Sequence, residues 1–220
     1  MSFKRLVSMD IAIIGNTDIA AYYASKFAMQ GHNIYMACCE KNNIIVRHIP
    51  DPNNNISYTS ISNAALQADF IIIATDPIEV REASYWLGDV RKKVIIDVTA
   101  NVFAPDDELV KTVCAIKAIT GSAHVIKVFY TGGYENILKP LFNGSRVDLL
   151  LLSDSKKAKE ITKIMAIEIG LKYFYDFGGS DNIPLFNEIT KCWRKLKLAN
   201  EKRDVTTTSL ETKESKKIDN

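Results

Sequence analysis

Ile11, Ala12, Ile13 and Ile14 form an unbroken apolar run that stops at Gly15, and this run restricts the fold more than any other part of the 220-residue chain. A continuous run, unlike an alternating one, belongs to a parallel strand buried on both faces. From Asp18 onward Ile19, Tyr22 or Tyr23, and Phe27 recur at helical spacing with Lys26 on the solvated side, and Gly31-His32 closes the helix. Strand character returns at Ile34, Tyr35 and Met36. A strand, a helix and a second parallel strand require a right-handed crossover.

The stretch from Ile11 to Glu40 thus has the layout of a dinucleotide-binding βαβ unit, with an acid at the end of its second strand. In such a turn the first small residue permits the tight bend, the second admits a pyrophosphate, and the third lets helix and strand pack closely. Gly15, Thr17 and Ala20 hold those places. Ala20 adds one methyl, whereas Thr17 puts a branched Cβ where phosphate oxygens come nearest the backbone. Asp18 suits the helix dipole but repels a phosphate unless its carboxylate turns away. By spacing alone, a ligand-binding turn and a plain α/β turn both remain open.

With 47% hydrophobic residues the chain can bury one full core, so the expected organisation is one main domain over residues 1–199 and a disordered tail over 200–220. The tail is Lys, Glu, Asp, Thr and Ser with almost no large apolar side chain, too little to offset ordering entropy. A formal charge of +2 with scattered lysines argues against a nucleic-acid surface. No apolar run is long enough to cross a bilayer, and Met1 to Met9 is too short and polar for a signal peptide, so a cytoplasmic protein without a membrane partner is expected. Cys38, Cys39, Cys114 and Cys192 show neither metal-ligand spacing nor a CxxC motif and read as reduced thiols.

Strand and helix alternate through the rest. A polar loop, Asp51 to Asn55, precedes a short strand at Ile56 to Thr59 and a helix through Leu66. Phe70 to Ala74, Val94 to Val98, Val125 to Phe129, Leu149 to Leu152 and Tyr173 to Tyr175 read as further strands, with a helix over Ile78 to Leu87. Ser153 or Asp154 is positioned to cap a helix carrying Ala158, Ile161, Met165 and Ile169 on one face and ended by Gly170. A last helix, Pro184 to Leu198, spaces Leu185, Ile189, Cys192 or Trp193, and Leu196 along a stripe suited to core packing or to a homodimer seam. Such alternation predicts an α/β fold: a doubly wound, mostly parallel Rossmann-type sheet with a C-terminal helix.

Taken in order, IAIIGNTDIA, QGHNIYMACCE, ADFIIIATDP, KKVIIDVTAN and AHVIKVFYTGG resemble the NADP-dependent deazaflavin oxidoreductase family, compact Rossmann proteins that also form the cytoplasmic part of membrane ferric reductases. The resemblance covers roughly Asp10 to Leu196. It implies that Gly15, Asn16, Thr17, Asp18 and Ile19 surround the pyrophosphate, and that Ala74, Thr75 and Asp76 line the path from adenosine to nicotinamide. Thr99 and Ala100 would follow, with Lys127 and Phe129 deeper. The implied cofactor is NADP, with NAD as the alternative, and the implied second substrate is a flavin or deazaflavin.

Three departures fall on this implied site. Members that choose NADP carry a Ser-Arg or Thr-Arg pair after the second strand, where the guanidinium holds the 2′-phosphate; here stand Cys38, Cys39 and Glu40, and Glu40 suits the free ribose hydroxyls of NAD, while Lys41 could partly compensate. The family's Asn-Pro after the IIDV strand is Ala100-Asn101, and its Asn after VIKVF is Tyr130. Asn101 or Thr131 could substitute for the lost amides. Two functions follow from the resemblance: an NAD(P)-binding oxidoreductase passing hydride to a flavin-like or other small acceptor, or a nucleotide-binding regulator that has lost turnover.

Other candidate chemistry is thin. His32, His48 and His124 have no partners at metal-ligand spacing, and no nucleophile elbow surrounds Ser122. Asp176, before Phe177-Gly178-Gly179, reads as a loop acid capping backbone amides. Lys127 lies in an otherwise apolar strand, which places its ammonium either at the strand's ligand edge or snorkelling outward.

Overall fold

The computed structural model describes residues 8–39, 49–99, 111–130, 148–192, 195, 196 and 199. Two compact units divide the chain, Met1–Asn182 and Ile183–Asn220. In the first, eight strands form one sheet: β1 (Asp10–Ile14), β2 (Asn33–Ala37), β3 (Ile56–Tyr58), β4 (Phe70–Ile73), β5 (Val94–Asp97), β6 (Val125–Tyr130), β7 (Asp148–Leu152) and β8 (Tyr173–Asp176), in the spatial order β3-β2-β1-β4-β5-β6-β7-β8. Neighbours are parallel except β6 and β7, which pair antiparallel. The α-helices of this unit among the described residues are α1 (Asp18–Met29), α2 (Ile61–Gln67), α3 (Val80–Trp86), α4 (Thr112–Thr120) and α5 (Lys156–Glu168). The Rossmann-type reading of the sequence is borne out.

The apolar run in β1 explains why the sheet is covered on both sides. Ile11 and Ile13 belong to one core cluster with Phe27 of α1 and Met165 of α5, while Ala12 and Ile14 belong to another with Ala64 of α2 and Ala83 of α3. Successive side chains of a strand point to opposite faces, so a strand apolar at every position needs two layers of cover.

α1 begins where the chain provides a cap. Thr17 has extended backbone, and its hydroxyl accepts from Ala20 N–H, with Asp18 in the first turn. The helix buries Ile19, Ala20, Tyr23, Ala24, Phe27 and Ala28, and stops before Gly31 at φ +90°. Phe27 stacks on Tyr23 with centroids 5.8 Å apart and meets His32 edge-on at 5.9 Å. His32 is structural: its Nδ1 accepts from Met9 N–H at 3.2 Å. Its Nε2 lies 3.0 Å from Glu168 Oε2, though at an angle too poor for a hydrogen bond.

Two local expectations need correction. Ser155, not Ser153 or Asp154, caps α5, accepting from Ala158 N–H at 3.1 Å. Ser153 instead donates to Val125 O at 2.7 Å and accepts from Ser155 N–H, tying β7 to β6. In the second unit the described helix, α6, spans residues 183–192. The apolar stripe proposed for it is largely exposed, at 54% for Leu185 and 55% for Leu196, and the buried positions are Phe186 and Thr190. Trp193, Leu198 and the tail after Asn200 lie outside the described residues.

Phe27 is 1% exposed at the centre of one core face. Phe27→Ala is expected to lower stability by about 3–5 kcal/mol, read as a fall in urea midpoint with little change in slope.

Candidate dinucleotide site at the strand-order reversal

Ligands of open α/β sheets bind outside the carboxyl ends of the strands where the order reverses, which here is between β1 and β4. Three strand ends converge there. Gly15 N–H donates to the carbonyl of Ala37, the last residue of β2, at 2.7 Å, and Ala74 N–H, just beyond β4, donates to Ile14 O at 2.8 Å. Gly15 adopts φ +142°, and a Cβ on it would sit 2.3 Å from Ala74 O. Only glycine meets both conditions, so its first task is to let the two turns touch.

Thr17 lies across the same contact. Its hydroxyl donates to Ala74 O at 2.6 Å and accepts from Ala20 N–H at 3.2 Å. The side chain that departs from the glycine pattern is thus folded inward as helix cap and as tie to β4. Asn16 is half-buried beside it, Asp18 is exposed, and Ile19 is buried. Ala74 and Thr75 are buried next to Gly15, and Asp76 is exposed with its carbonyl accepting from Glu79 N–H at 2.9 Å. Thr75 is 2% exposed, and its Oγ1 has no hydrogen-bond partner. An orphaned buried hydroxyl costs about 1–3 kcal/mol, a deficit that a polar ligand atom in the cleft would remove.

The end of β2 is walled by thiols. Cys39 is buried with Ala37, Val80 and Ala83, and burial together with Glu79, Glu82 and Cys38 pushes its thiol up to about 11. Glu40, Lys41, Ala100, Asn101 and Thr131 lie outside the described residues.

A second cluster sits at the ends of β5 and β6, and it settles the position of Lys127. That side chain is only 4% exposed and does not snorkel: it stands opposite Asp97, the last residue of β5. Its Nζ donates to Asp97 Oδ1 at 3.0 Å and to the carbonyl and hydroxyl of Thr99 at 2.8 Å each. Asp97, wholly buried, also accepts from Thr99 N–H at 3.0 Å, from the Thr99 hydroxyl at 2.6 Å, and from the Thr112 hydroxyl through a short bond. Burial draws the Lys127 ammonium below the usual lysine range while the Asp97 carboxylate opposes that shift.

Of the residues expected at the site, Gly15, Thr17 and Ala74 are joined directly, with Thr75 adjoining, and Thr99 and Lys127 form the second group. Asp97 and Thr112 were missed. Their signal was an acid in VIID and a base in VIKVF, opposite charges in consecutive apolar strands. Tyr130 stands where the resemblance implies an asparagine near the nicotinamide. It is buried in the α1-side core, where its hydroxyl pairs with that of Tyr23. Asp176 Oδ1 accepts from Gly178 N–H at 2.8 Å, as a loop cap should.

Sheet order, crossover and glycine turn together define a Rossmann-type protein. Residues 10–101 match the family described as NADP oxidoreductase, coenzyme F420-dependent. Among solved structures, the chain is similar to a candidate F420-dependent NADP-reductase from Arthrobacter sp. FB24, at 16% identity and TM-score 0.72, over 88% of this chain and 96% of that one. It is similar also to a pyrroline-5-carboxylate reductase from Coxiella burnetii, at 14% identity and TM-score 0.54, over 94% and 81% of the two chains. Prephenate dehydrogenase from A. aeolicus, solved with hydroxyphenyl propionate and NAD+, aligns at 16% identity and TM-score 0.56, over 80% and 62%. At these identities the likeness is one of fold. No curated protein is significantly similar in sequence. Among the described residues, no helix is long and apolar enough to cross a membrane, and no cluster of His, Cys, Asp and Glu could hold a metal ion.

Lys127→Met strands Asp97 and is expected to destabilise the protein by about 3–5 kcal/mol in urea unfolding, with Asp97→Asn in the same chain recovering part of the loss. At pH 8 Cys39 is almost wholly protonated, so iodoacetamide is expected to label exposed Cys114 at least about tenfold faster, read by peptide mass mapping. Its raised pKa also means that the native state keeps a proton the unfolded chain releases from about pH 9. This contribution to stability is present below pH 9 and is lost as pH rises through about 11.

Proposed function

We propose that this protein is an NAD(P)-dependent oxidoreductase that moves hydride between a nicotinamide dinucleotide and a flavin-like or other small acceptor. The observation that carries the reading is the switch-point turn, where Gly15 is pressed against Ala74 and the buried Thr75 hydroxyl is unpartnered. The match of residues 10–101 to the family described as NADP oxidoreductase, coenzyme F420-dependent, supports it. In this reading residues 15–19 hold the pyrophosphate with first-turn amides of α1, Cys39 and Glu40 border the adenosine ribose, and Ala74, Thr75 and Asp76 line the path to the nicotinamide.

Bound nicotinamide supplies the hydride, so the chain needs no nucleophile or general acid of its own. What its residues provide is position. Thr99 forms the wall beyond β5, and Lys127 and Asp97 hold Thr99 by its backbone and its hydroxyl. The cluster thus acts on the cleft through Thr99, which makes Lys127 a positioning residue. The reading without turnover draws on Tyr130: its hydroxyl is committed to Tyr23, so it does not replace the orienting amide that family members carry at this place.

Thermal unfolding of the full chain with NADPH, NADH and neither tests the proposal, because a ligand at about a hundred times its Kd adds about 2.7 kcal/mol to a native state that alone binds it. A concentration-dependent rise is expected, with loss of nicotinamide absorbance when a flavin or deazaflavin is added. A rise without oxidation of any acceptor selects the regulatory reading. No rise with either coenzyme removes both.

A further inference from the structure

A cavity of about 20 Å³ lies between α1, α5 and the sheet, walled by Tyr23 and Phe27, by Ile96 and Val128, and by Thr162 and Met165. Most of its wall is apolar, and the exceptions are Thr162 and Tyr23. Thr162 stands in the middle of α5 and is 4% exposed, and its Oγ1 has no hydrogen-bond partner. Hydroxyls inside other helices of this chain return to their own backbone: Ser84 donates to Val80 O and Thr120 to Ile116 O, at 2.7 Å each. Thr162 makes no such bond to the carbonyl four residues back, so its hydroxyl stays available to the cavity. Native structures satisfy nearly all buried polar groups, with protein atoms or with ordered water, because an unpaired one is costly.

Tyr23 carries a second deficit. Its hydroxyl pairs with that of Tyr130, and both side chains are buried. Such a pair holds two hydrogens, and the bond between them uses one. Among the described residues neither hydroxyl makes another hydrogen bond, so one hydrogen is left over. Size and polarity then decide what fits. The volume exceeds the requirement of about 10–15 Å³ for one water, and a buried water needs about two to four polar partners. Thr162 Oγ1 and the spare tyrosine hydrogen supply two.

We propose that this cavity is a binding site for a single internal water, which joins Thr162 Oγ1 to the hydroxyl pair of Tyr23 and Tyr130. One polar chain then runs from β6 through α1 to α5 inside an apolar layer and ties the two helices of that face together. The site is independent of the dinucleotide reading, since none of its residues is among those assigned to the coenzyme.

Water-oxygen magnetic relaxation dispersion of the full chain counts long-lived internal waters and is blind to exchanging hydroxyl hydrogens. Wild type is expected to show one such water that Thr162→Val lacks and Thr162→Ser keeps. In urea, Thr162→Val should raise the unfolding equilibrium constant about fivefold, the scale of one buried hydrogen bond, because valine leaves the water without its anchor. Its effect should not add to that of Tyr23→Phe, since each substitution breaks the same bridge. A dry cavity gives the opposite sign: Thr162→Val then removes an unpaired hydroxyl and raises the urea midpoint, which overturns the proposal. A water count unchanged in Thr162→Val, or effects that simply add, would overturn it too. Circular dichroism checks the variants' fold. If Thr162→Val does not fold, a crystal structure of the wild type carries the test: water density within about 3.2 Å of Thr162 Oγ1 and of a tyrosine hydroxyl supports the proposal, and a cavity without density overturns it.

Discussion

The close approach of three strand ends around Gly15 governs much of the rest of the molecule. With Gly15 N–H on Ala37 O and its Cα against Ala74 O, the turns after β1, β2 and β4 become one surface. Thr17 reinforces the contact by bonding the same carbonyl while capping α1, so the helix start is fixed relative to β4 as well as to β1. A threonine at this place, which disrupts the usual glycine pattern, is accommodated because its polar atom has two backbone partners within reach.

The buried pair of Lys127 and Asp97 is a different device. Taking both charges from water is offset only when nearly every donor and acceptor is matched, and here the ammonium meets Asp97 and two oxygens of Thr99. Asp97 in turn gathers Thr99 and Thr112, which stand on either side of the chain segment between β5 and α4. One ion pair thereby sets the position of two backbone points at the carboxyl edge of the sheet. Apolar residues could pack the same volume, but they would not select those hydrogen-bonding partners.

The strands were legible because continuous apolar runs such as Phe70 to Ile73 have few ways to be buried, and the structure buries every residue of that run. Details decided by a single hydrogen bond were not. Ser153, Asp154 and Ser155 are all competent caps, and the choice fell to Ser155 because Ser153 is occupied by Val125 across the sheet. Lys127 was legible as an anomaly but not as half of a pair, since spacing along a chain does not reveal which residues face one another across parallel strands. Thr17 was read as bulk when its hydroxyl mattered more. Tyr130 was aligned with a cleft residue, yet strand parity turned its ring toward Tyr23.

The antiparallel step between β6 and β7 has its own consequence. It sends β7 and β8 toward the amino ends of the first six strands, so the turns that follow them lie on the rim opposite the Gly15 crossover. Lys117 with Asp154 and Ser180, and Lys159 with Asp176, fasten that rim. Substitutions among those fastenings therefore act at the end of the sheet away from Gly15, and the reversal shared by β7 and β8 gives the two rims separate sets of supports.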